Sequence, residues 1–397
     1  MNICSHDNIE LIVICIDFKK AFDSFDKGFL FKCLNFFNFG NYFQKLIRVC
    51  LSDRKCCIIT DTGYTENFDI EQGMPQGDRL SPYLFIICIE ILLIKIEYDP
   101  TLTSPIINNY PNPRKIEGFA DDITVNLAAT AENIRILNII LTNFGLLSGL
   151  KVNNSKTKIL IFSTDADTIN SITVEATQNN YLVVEELELL GFTVFRNTNN
   201  LIRNWDKVIK NVRNKISLWK IFNLSIQGRI VVAKTHLISQ VQYVGTILPL
   251  PREVNNNISE MIESFVQGSG KKLAKDKLYS RVEDGGLNLI SLDPFCKALK
   301  CGLIKHSRSF QDWWSTFFYN SAVLNVIDNI HLGGIQEAAT PLIFNIAKAW
   351  QEACQSTMWR ERKEWMWTKE AFYSTGSNFI NAIVVNNPLI KNNGSII

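Results

Sequence analysis

At 397 residues the chain exceeds what one hydrophobic core usually fills, so two or three domains are expected. With 46% hydrophobic and 20% charged residues, the composition excludes a chain disordered throughout. A net charge of +2 does not by itself mark a nucleic-acid binder, and ten cysteines with no Cys-x-x-Cys fit a reducing compartment better than a disulfide framework.

No basic stretch precedes the first apolar run, so no signal peptide is expected. Leu11 to Ile16 is continuously apolar and rich in β-branched residues, which predicts a strand buried on both faces, with Asp17 at its C-terminal end. Phe25, Phe29, Leu30, Cys33, Leu34 and Phe37 recur at three- and four-residue spacing, predicting a helix stopped by Gly40. Cys56 to Thr60 and Tyr64 to Ile70 read as a hairpin around Asp61-Thr62-Gly63. Glu71 to Pro82 holds two glycines and two prolines and reads as a shaped loop, with Ser81 capping a buried helix that Pro82 begins and Glu97 ends. Glu90 and Lys95 interrupt the apolar run of that helix, which falls short of the ~18 uncharged residues of a membrane span. Tyr98 to Arg114, with four prolines, reads as an exposed connection.

Ile116 to Leu127 is a largely apolar run, with Asp121 and Asp122 side by side at its centre. Charge at such a place is costly without a partner or a metal ion, and adjacent carboxylates repel. A tight hairpin is expected, with the pair at or near its turn and in unequal roles, because neighbours along a regular strand face opposite sides. Asp17 is the third carboxylate of this candidate divalent-metal set. Thr130 to Leu147 predicts a helix ended by Gly149, Ile159 to Phe162 a strand, and Leu187 to Phe195 a strand or turn.

Trp205 to Leu218 and Ser225 to Val244 predict two further helices. Between Leu201 and His236 stand Arg203, Lys207, Lys210, Arg213, Lys215, Lys220, Arg229 and Lys234 against the single acid Asp206, a local charge of +7 that suits a phosphate-binding face. Pro249 and Pro251 mark a boundary. Lys271, Lys272, Lys275, Lys277 and Arg281 form a second basic cluster ahead of a turn at Gly285-Gly286. Cys296, Cys301 and His306 lack the fourth ligand of a zinc site. Six of the eight tryptophans follow Phe310, in patterns that suit helix cores, and the Asn-rich tail after Asn386 is expected to fray.

Taken in order, five motifs stand out: Ile16-Asp17-Phe18-Lys19-Lys20-Ala21-Phe22-Asp23; Gly73-Met74-Pro75-Gln76-Gly77-Asp78-Arg79-Leu80-Ser81-Pro82; Phe119-Ala120-Asp121-Asp122; Ser148-Gly149-Leu150-Lys151-Val152-Asn153 with Lys156-Thr157; and Leu190-Gly191-Phe192. This series resembles the palm of reverse transcriptases, in particular the polymerase of LINE-type (non-LTR) retrotransposons of animals. Leu224 to Ile230 and Gly285-Gly286-Leu287 resemble the downstream region of the same family, so the likeness spans residues 9–310.

The resemblance implies an α+β fold: a right-hand polymerase palm, an antiparallel sheet backed by helices with a remnant of fingers, over 1–197, a helical thumb over 198–265, and a helical C-terminal region over 266–397. It implies an RNA-directed DNA polymerase, a nucleotidyltransferase that extends a DNA primer on an RNA template from dNTPs with two Mg²⁺ (or Mn²⁺) ions about 3.5–4 Å apart. Asp17, Asp121 and Asp122 would be catalytic and hold metal together with the Phe18 carbonyl, Asp121 being favoured over Asp122. Lys156 would donate a proton near the triphosphate, with Lys151 and Lys158 as alternatives. Phe22 would exclude a 2′-hydroxyl, although its residue type alone reads as core packing. Gln76 would bond the nucleotide or template, while Gly73 and Gly77 let backbone approach. Leu190, Gly191 and Phe192 would support the primer end, and Lys207, Lys210, Arg213, Lys215 and Arg229 would grip duplex phosphates without reading sequence.

The family's place is intracellular, in cytoplasm and nucleus. The chain begins almost at the first palm motif, so most of the fingers and the upstream endonuclease are expected to be missing. Arg79 stands where the family more often has proline, and its zinc knuckle is not recognisable. One alternative is a catalytically silent retrotransposon remnant that only binds nucleic acid. Another is an RNA-templated RNA polymerase or an intron-encoded reverse transcriptase, which Asp23 keeps open.

Overall fold

The computed structural model describes residues 10–309 apart from 53, 70–71, 107–112 and 269–271, together with 345, 346, 348, 349 and 352. These fall into two compact units, one ending at Thr198 and the other beginning at Asn199.

The first unit runs β1 (Leu11–Ile16), α1 (Lys27–Phe36), α2 (Asn41–Leu51), the short strands β2 (Lys55–Cys56), β3 (Ile59–Thr60), β4 (Gly63–Tyr64) and β5 (Phe68–Asp69), α3 (Ser81–Glu97), β6 (Ile116–Phe119), β7 (Asp122–Ala128), α4 (Ala131–Ser148), β8 (Lys158–Phe162), α5 (Ala166–Gln178), β9 (Leu182–Val184), β10 (Glu186–Leu189) and β11 (Phe192–Phe195). Five strands form one sheet in the order β6-β7-β1-β8-β9, with β1 at its centre as its unbroken apolar run predicts. Ile12, Ile14 and Ile16 pair with Leu127, Val125 and Ile123, and this face is buried in one core with Leu84, Phe85 and Leu92 of α3 and Leu137 and Leu141 of α4. Each such side chain contributes about 1.5–3 kcal/mol on burial. The sheet is not antiparallel throughout: β8 and β9 are parallel, because α5 carries the chain back across it.

Several local expectations need correction. The helix after Asp17 ends at Phe36, where Asn38 turns the chain with a φ of 59°, and Gly40 precedes α2 instead of stopping α1. The hairpin turn is Asp61-Thr62, since Gly63 already pairs with Thr60 in β4, and Ile70 and Glu71 lie outside the described residues. Ser81 is the first residue of α3, not its cap. The Asp78 carboxylate accepts from the Leu80 amide and the Ser81 hydroxyl, each at 3.3 Å. The connection after Tyr98 is anchored where it is described: Asp99 and Leu102 are buried, and the Asn133 carboxamide binds the Thr103 backbone. Among the described residues no helix is long and apolar enough to cross a membrane.

The second unit holds α6 (Asn204–Trp219), α7 (Ile226–Val232), a π-helical segment (Ala233–Leu237), α8 (Ser239–Ile247), α9 (Arg252–Gln267), α10 (Lys275–Tyr279) and α11 (Leu292–Ser309). The helix expected over Ser225 to Val244 is therefore α7, the π segment and α8 in succession, with the Ser225 hydroxyl capping α7 by accepting from the Gly228 amide at 3.2 Å. α6 buries Trp205, Val208, Val212 and Ile216 and packs against α8 and α9. Cys296 of α11 is buried against Gly245 of α8. Lys271, the tryptophans after Phe310 and the Asn-rich tail lie outside the described residues.

Candidate active site

Asp17 follows β1 directly and is half-buried. The β1–β7 register pairs Ile16 with Ile123, so the next facing positions are Asp17 and Asp122. β6 and β7 close with Phe119 opposite Asp122, leaving Ala120 and Asp121 as a two-residue turn. Ala120 takes a φ of 57°, a left-handed conformation uncommon for a residue with a Cβ. The two adjacent carboxylates thus have different supports, Asp121 on the turn and Asp122 on the strand facing Asp17.

The Asp122 carboxyl is held above the usual carboxylate range, first by burial, then by the charges of Asp121 and Asp17. Among the described residues none ion-pairs with the three carboxylates or donates a hydrogen bond to them. The Cys15 thiol is raised by burial and by Asp122, against a hydrogen bond with Thr124 and the charge of Lys158.

The backbone around Asp17 is braced by the fourth motif. The Asn153 amide donates to the Asp17 carbonyl at 2.7 Å, the Asp17 amide to the Thr157 hydroxyl at 3.4 Å, and the Lys19 amide to the Lys151 carbonyl at 2.8 Å. Phe18 bridges to Val152, and no donor among the described residues reaches its carbonyl oxygen. Lys156 stands exposed on the turn that follows, its amide bonded to the Asn153 carbonyl, while Lys158 sits in β8 opposite Cys15 and Lys151 is exposed. Sequence reasoning missed the bracing role of Asn153 and Thr157; two polar residues on the approach to an apolar strand were the available signal.

The second motif docks on the first. The Gly73 amide donates to the Phe25 carbonyl at 3.0 Å and the Met74 amide to the Phe22 carbonyl at 2.6 Å. A Cβ on Gly73 would lie 2.7 Å from the Asp23 carbonyl oxygen and 2.8 Å from that of Phe22. Gly77 differs: its φ is 86°, but nothing lies within 4 Å of a Cβ there, so it serves the turn and not a close approach. Gln76 is exposed beside it. Phe22 is half-buried and stacks on Phe85, with ring centroids 4.8 Å apart.

Leu190 and Gly191 form the two-residue turn between β10 and β11, with Leu190 exposed at a φ of 47° and Phe192 buried. In the second unit Lys207, Lys210 and Arg213 are exposed on α6, away from the buried stripe of Trp205, Val208, Val212 and Ile216, while Lys215 is half-buried. Arg229 is placed differently. It is half-buried, with its guanidinium against Gly268, where a Cβ would lie 1.8 Å from Nη1.

Residues 2–194 match the family described as reverse transcriptase (RNA-dependent DNA polymerase). The chain is 22% identical over 331 residues to the Retrovirus-related Pol polyprotein from type-1 retrotransposable element R2 of Popillia japonica, covering 77% of this chain and 51% of that protein. It is 21% identical over 261 residues to the Transposon TX1 uncharacterized 149 kDa protein of Xenopus laevis, covering 65% of this chain and 19% of that protein. The chain therefore spans about half the length of the first relative and about a fifth of the second. Among solved structures it is similar to telomerase from Candida tropicalis in complex with a TWJ fragment of telomeric RNA, at 14% identity and a TM-score of 0.38 over 80% of this chain and 50% of that one. The corresponding complex from Candida albicans gives 13% and 0.39 over 92% and 51%.

Proposed function

We propose that this chain, whose residues 2–194 match the reverse transcriptase family and which is similar to a non-LTR retrotransposon Pol polyprotein, is an RNA-directed DNA polymerase that extends a DNA primer on an RNA template from dNTPs. The observation that carries the proposal is that Asp17 stands opposite Asp122, one position beyond the Ile16–Ile123 pair, with Asp121 on the adjoining turn, and that among the described residues no cation pairs with them.

The donor set fits Mg²⁺, which prefers hard oxygen ligands. Among the described residues no group of three His, Cys, Asp or Glu side chains is arranged to hold a metal ion. Mg²⁺ requires none, since it binds through one or two carboxylates and keeps waters and substrate phosphates in its shell. Asp17 and Asp121 would hold it, with the Phe18 carbonyl, and Asp122 would add charge from the strand. When bound, such ions activate the primer 3′-hydroxyl and offset charge on the leaving group. The 3′-oxygen, losing its proton to water, would form a bond to the α-phosphorus while the α–β phosphoanhydride breaks and pyrophosphate leaves. Phe22 would lie under the sugar, Gln76 would reach the nucleotide or template, and Lys156 would give the departing pyrophosphate its proton. Residues 198–265 would serve as the thumb, with the exposed basic side chains of α6 on duplex phosphates.

The test is primer extension on a primed RNA template with Mg²⁺ and dNTPs. We expect extension by the native chain and none by Asp17→Asn or Asp121→Asn. Equal extension by the native chain and Asp121→Asn would overturn the role given to Asp121. Salt-sensitive duplex binding without extension by the native chain would favour a silent nucleic-acid-binding remnant.

A further inference from the structure

At the C-terminal end of α6 the polar surface gives way to exposed apolar side chains. Leu218 is 63% exposed, Ile221 79% and Phe222 57%. They are not scattered: the Trp219 ring lies 5.5 Å from that of Phe222 and 5.0 Å from that of His236, the latter pair tilted by only 30°. Trp219 is half-buried and His236 is exposed. The loop that carries Phe222 is pinned by its own backbone, with the Phe222 amide on the Trp219 carbonyl at 3.3 Å and the Leu224 amide on the Phe222 carbonyl at 2.9 Å. His236 reaches Trp219 from the π-helical segment Ala233–Leu237, and π turns inside helices recur at functional sites. Cations surround the rings in sequence, with Lys215 and Lys220 before Phe222 and Lys234 before His236.

We propose that Trp219, Phe222 and His236 form a stacking surface for an unpaired nucleobase of single-stranded nucleic acid, within the basic stretch from Leu201 to His236. Rings held by α6, the loop after it and the π-helical segment, with lysines near them in sequence, match the way proteins bind single strands without sequence preference: cations follow the backbone while bases stack on aromatic faces. The local charge of +7 between Leu201 and His236 favours a polyanion over a neutral apolar partner. A single strand fits better than a duplex, since bases inside a duplex already have both faces covered. The inference rests on reading α6 as a phosphate-binding face and adds a distinct surface to it.

The experiment is fluorescence anisotropy with the full chain, using a labelled single-stranded RNA 15-mer and a blunt duplex of the same sequence, across a salt series. Phe222→Ala and His236→Ala should each weaken single-strand binding about tenfold, within the range found for loss of one stacked base. They should leave the slope of log K against log salt unchanged, because no phosphate contact is removed. Phe222→Trp should bind like the native chain. Native-like affinity in both alanine variants would overturn the proposal, as would an equal loss on the blunt duplex. The double change Lys210→Ala, Arg213→Ala tests the underlying reading separately: it should flatten the salt slope by about 1–2. A slope unchanged by that double change would sink the phosphate face itself, whereas unaffected alanine variants beside a flattened slope would sink the stacking surface alone.

Discussion

Asp17 and Asp122 face each other across β1 and β7, one position beyond the paired Ile16 and Ile123. Like charges so placed destabilise a sheet by about 0.2–1 kcal/mol. The Asp122 carboxyl is raised in the folded chain, so the fold holds its proton at a pH where the unfolded chain has lost it. Stability from this group therefore falls as pH rises from the ordinary carboxylate value through the raised one. We expect Asp122→Asn to raise the melting temperature of the metal-free chain slightly above that window and to flatten this part of the pH profile. Added Mg²⁺ should stabilise the native chain and have less effect on Asp17→Asn, which thermal melts with and without the ion would show.

Gly73 and Gly77 both take positive φ, yet only Gly73 touches anything. Gly77→Ala should cost about 1 kcal/mol, the ordinary strain of a Cβ in that conformation. Gly73→Ala should cost at least about 2 kcal/mol more, because its Cβ must push back the carbonyls of Phe22 and Asp23. Urea unfolding of the two variants would read the difference directly; equal costs would mean that the docked loop yields freely.

Phe22 stacks on Phe85 while remaining half-buried, so one ring serves two ends. Phe22→Val should lose about 1–2 kcal/mol of stability through the missing stacking and burial. If the exposed edge lies under the incoming sugar, the same change should also lower the ratio of kcat/KM for a dNTP over its rNTP by about tenfold. A destabilised variant with unchanged discrimination would leave Phe22 a core residue only.

Asp99 is buried beside the end of α3, where its carboxylate meets Lys95 Nζ at 2.7 Å and the Thr101 amide at 2.9 Å, and also accepts from the Thr101 hydroxyl. Lys95 and Thr101 hold the carboxyl well below its usual range. The sign is opposite to that of Asp122: the stabilisation is complete above the unfolded value near 3.9 and is lost as pH falls below it toward the lowered folded value. Asp99→Asn should cost about 2 kcal/mol at pH 7. The gap to the native chain should narrow between about pH 4 and pH 2 in denaturant titrations.

What could be read in advance follows from which interactions leave a side-chain pattern. β1 was readable because Ile12, Val13 and Ile14 are buried on both faces, and α4 because Thr130 caps it and Gly149 ends it. α2 and α5 were not, since α2 buries only Ile47 and Leu51 and the stripe of α5 includes Glu175. α9 hides its stripe of Ile258, Ile262, Phe265 and Val266 behind three asparagines in its first turns. The carboxylates stood out as charge inside apolar runs. The docking of Gly73 on Phe22 and Asp23 did not, because it is made by backbone carbonyls, which no residue type records.

Arg229 shows the same limit at a charged residue. In the sequence it is one more cation of the basic block, but its guanidinium lies against Gly268, the C-terminal cap of α9. A cation there meets the negative end of the helix dipole, worth about 0.3–1 kcal/mol. Arg229→Ala should therefore lower the unfolding free energy by about 1 kcal/mol while leaving the salt slope of nucleic-acid binding as it was. Lys210→Ala should do the reverse, reducing the slope by about 1 with little effect on stability. Gly268→Ala must displace the guanidinium, so its cost and that of Arg229→Ala should combine to less than their sum in a double-mutant cycle. Full additivity, or a slope that falls in Arg229→Ala, would return Arg229 to the phosphate-binding face.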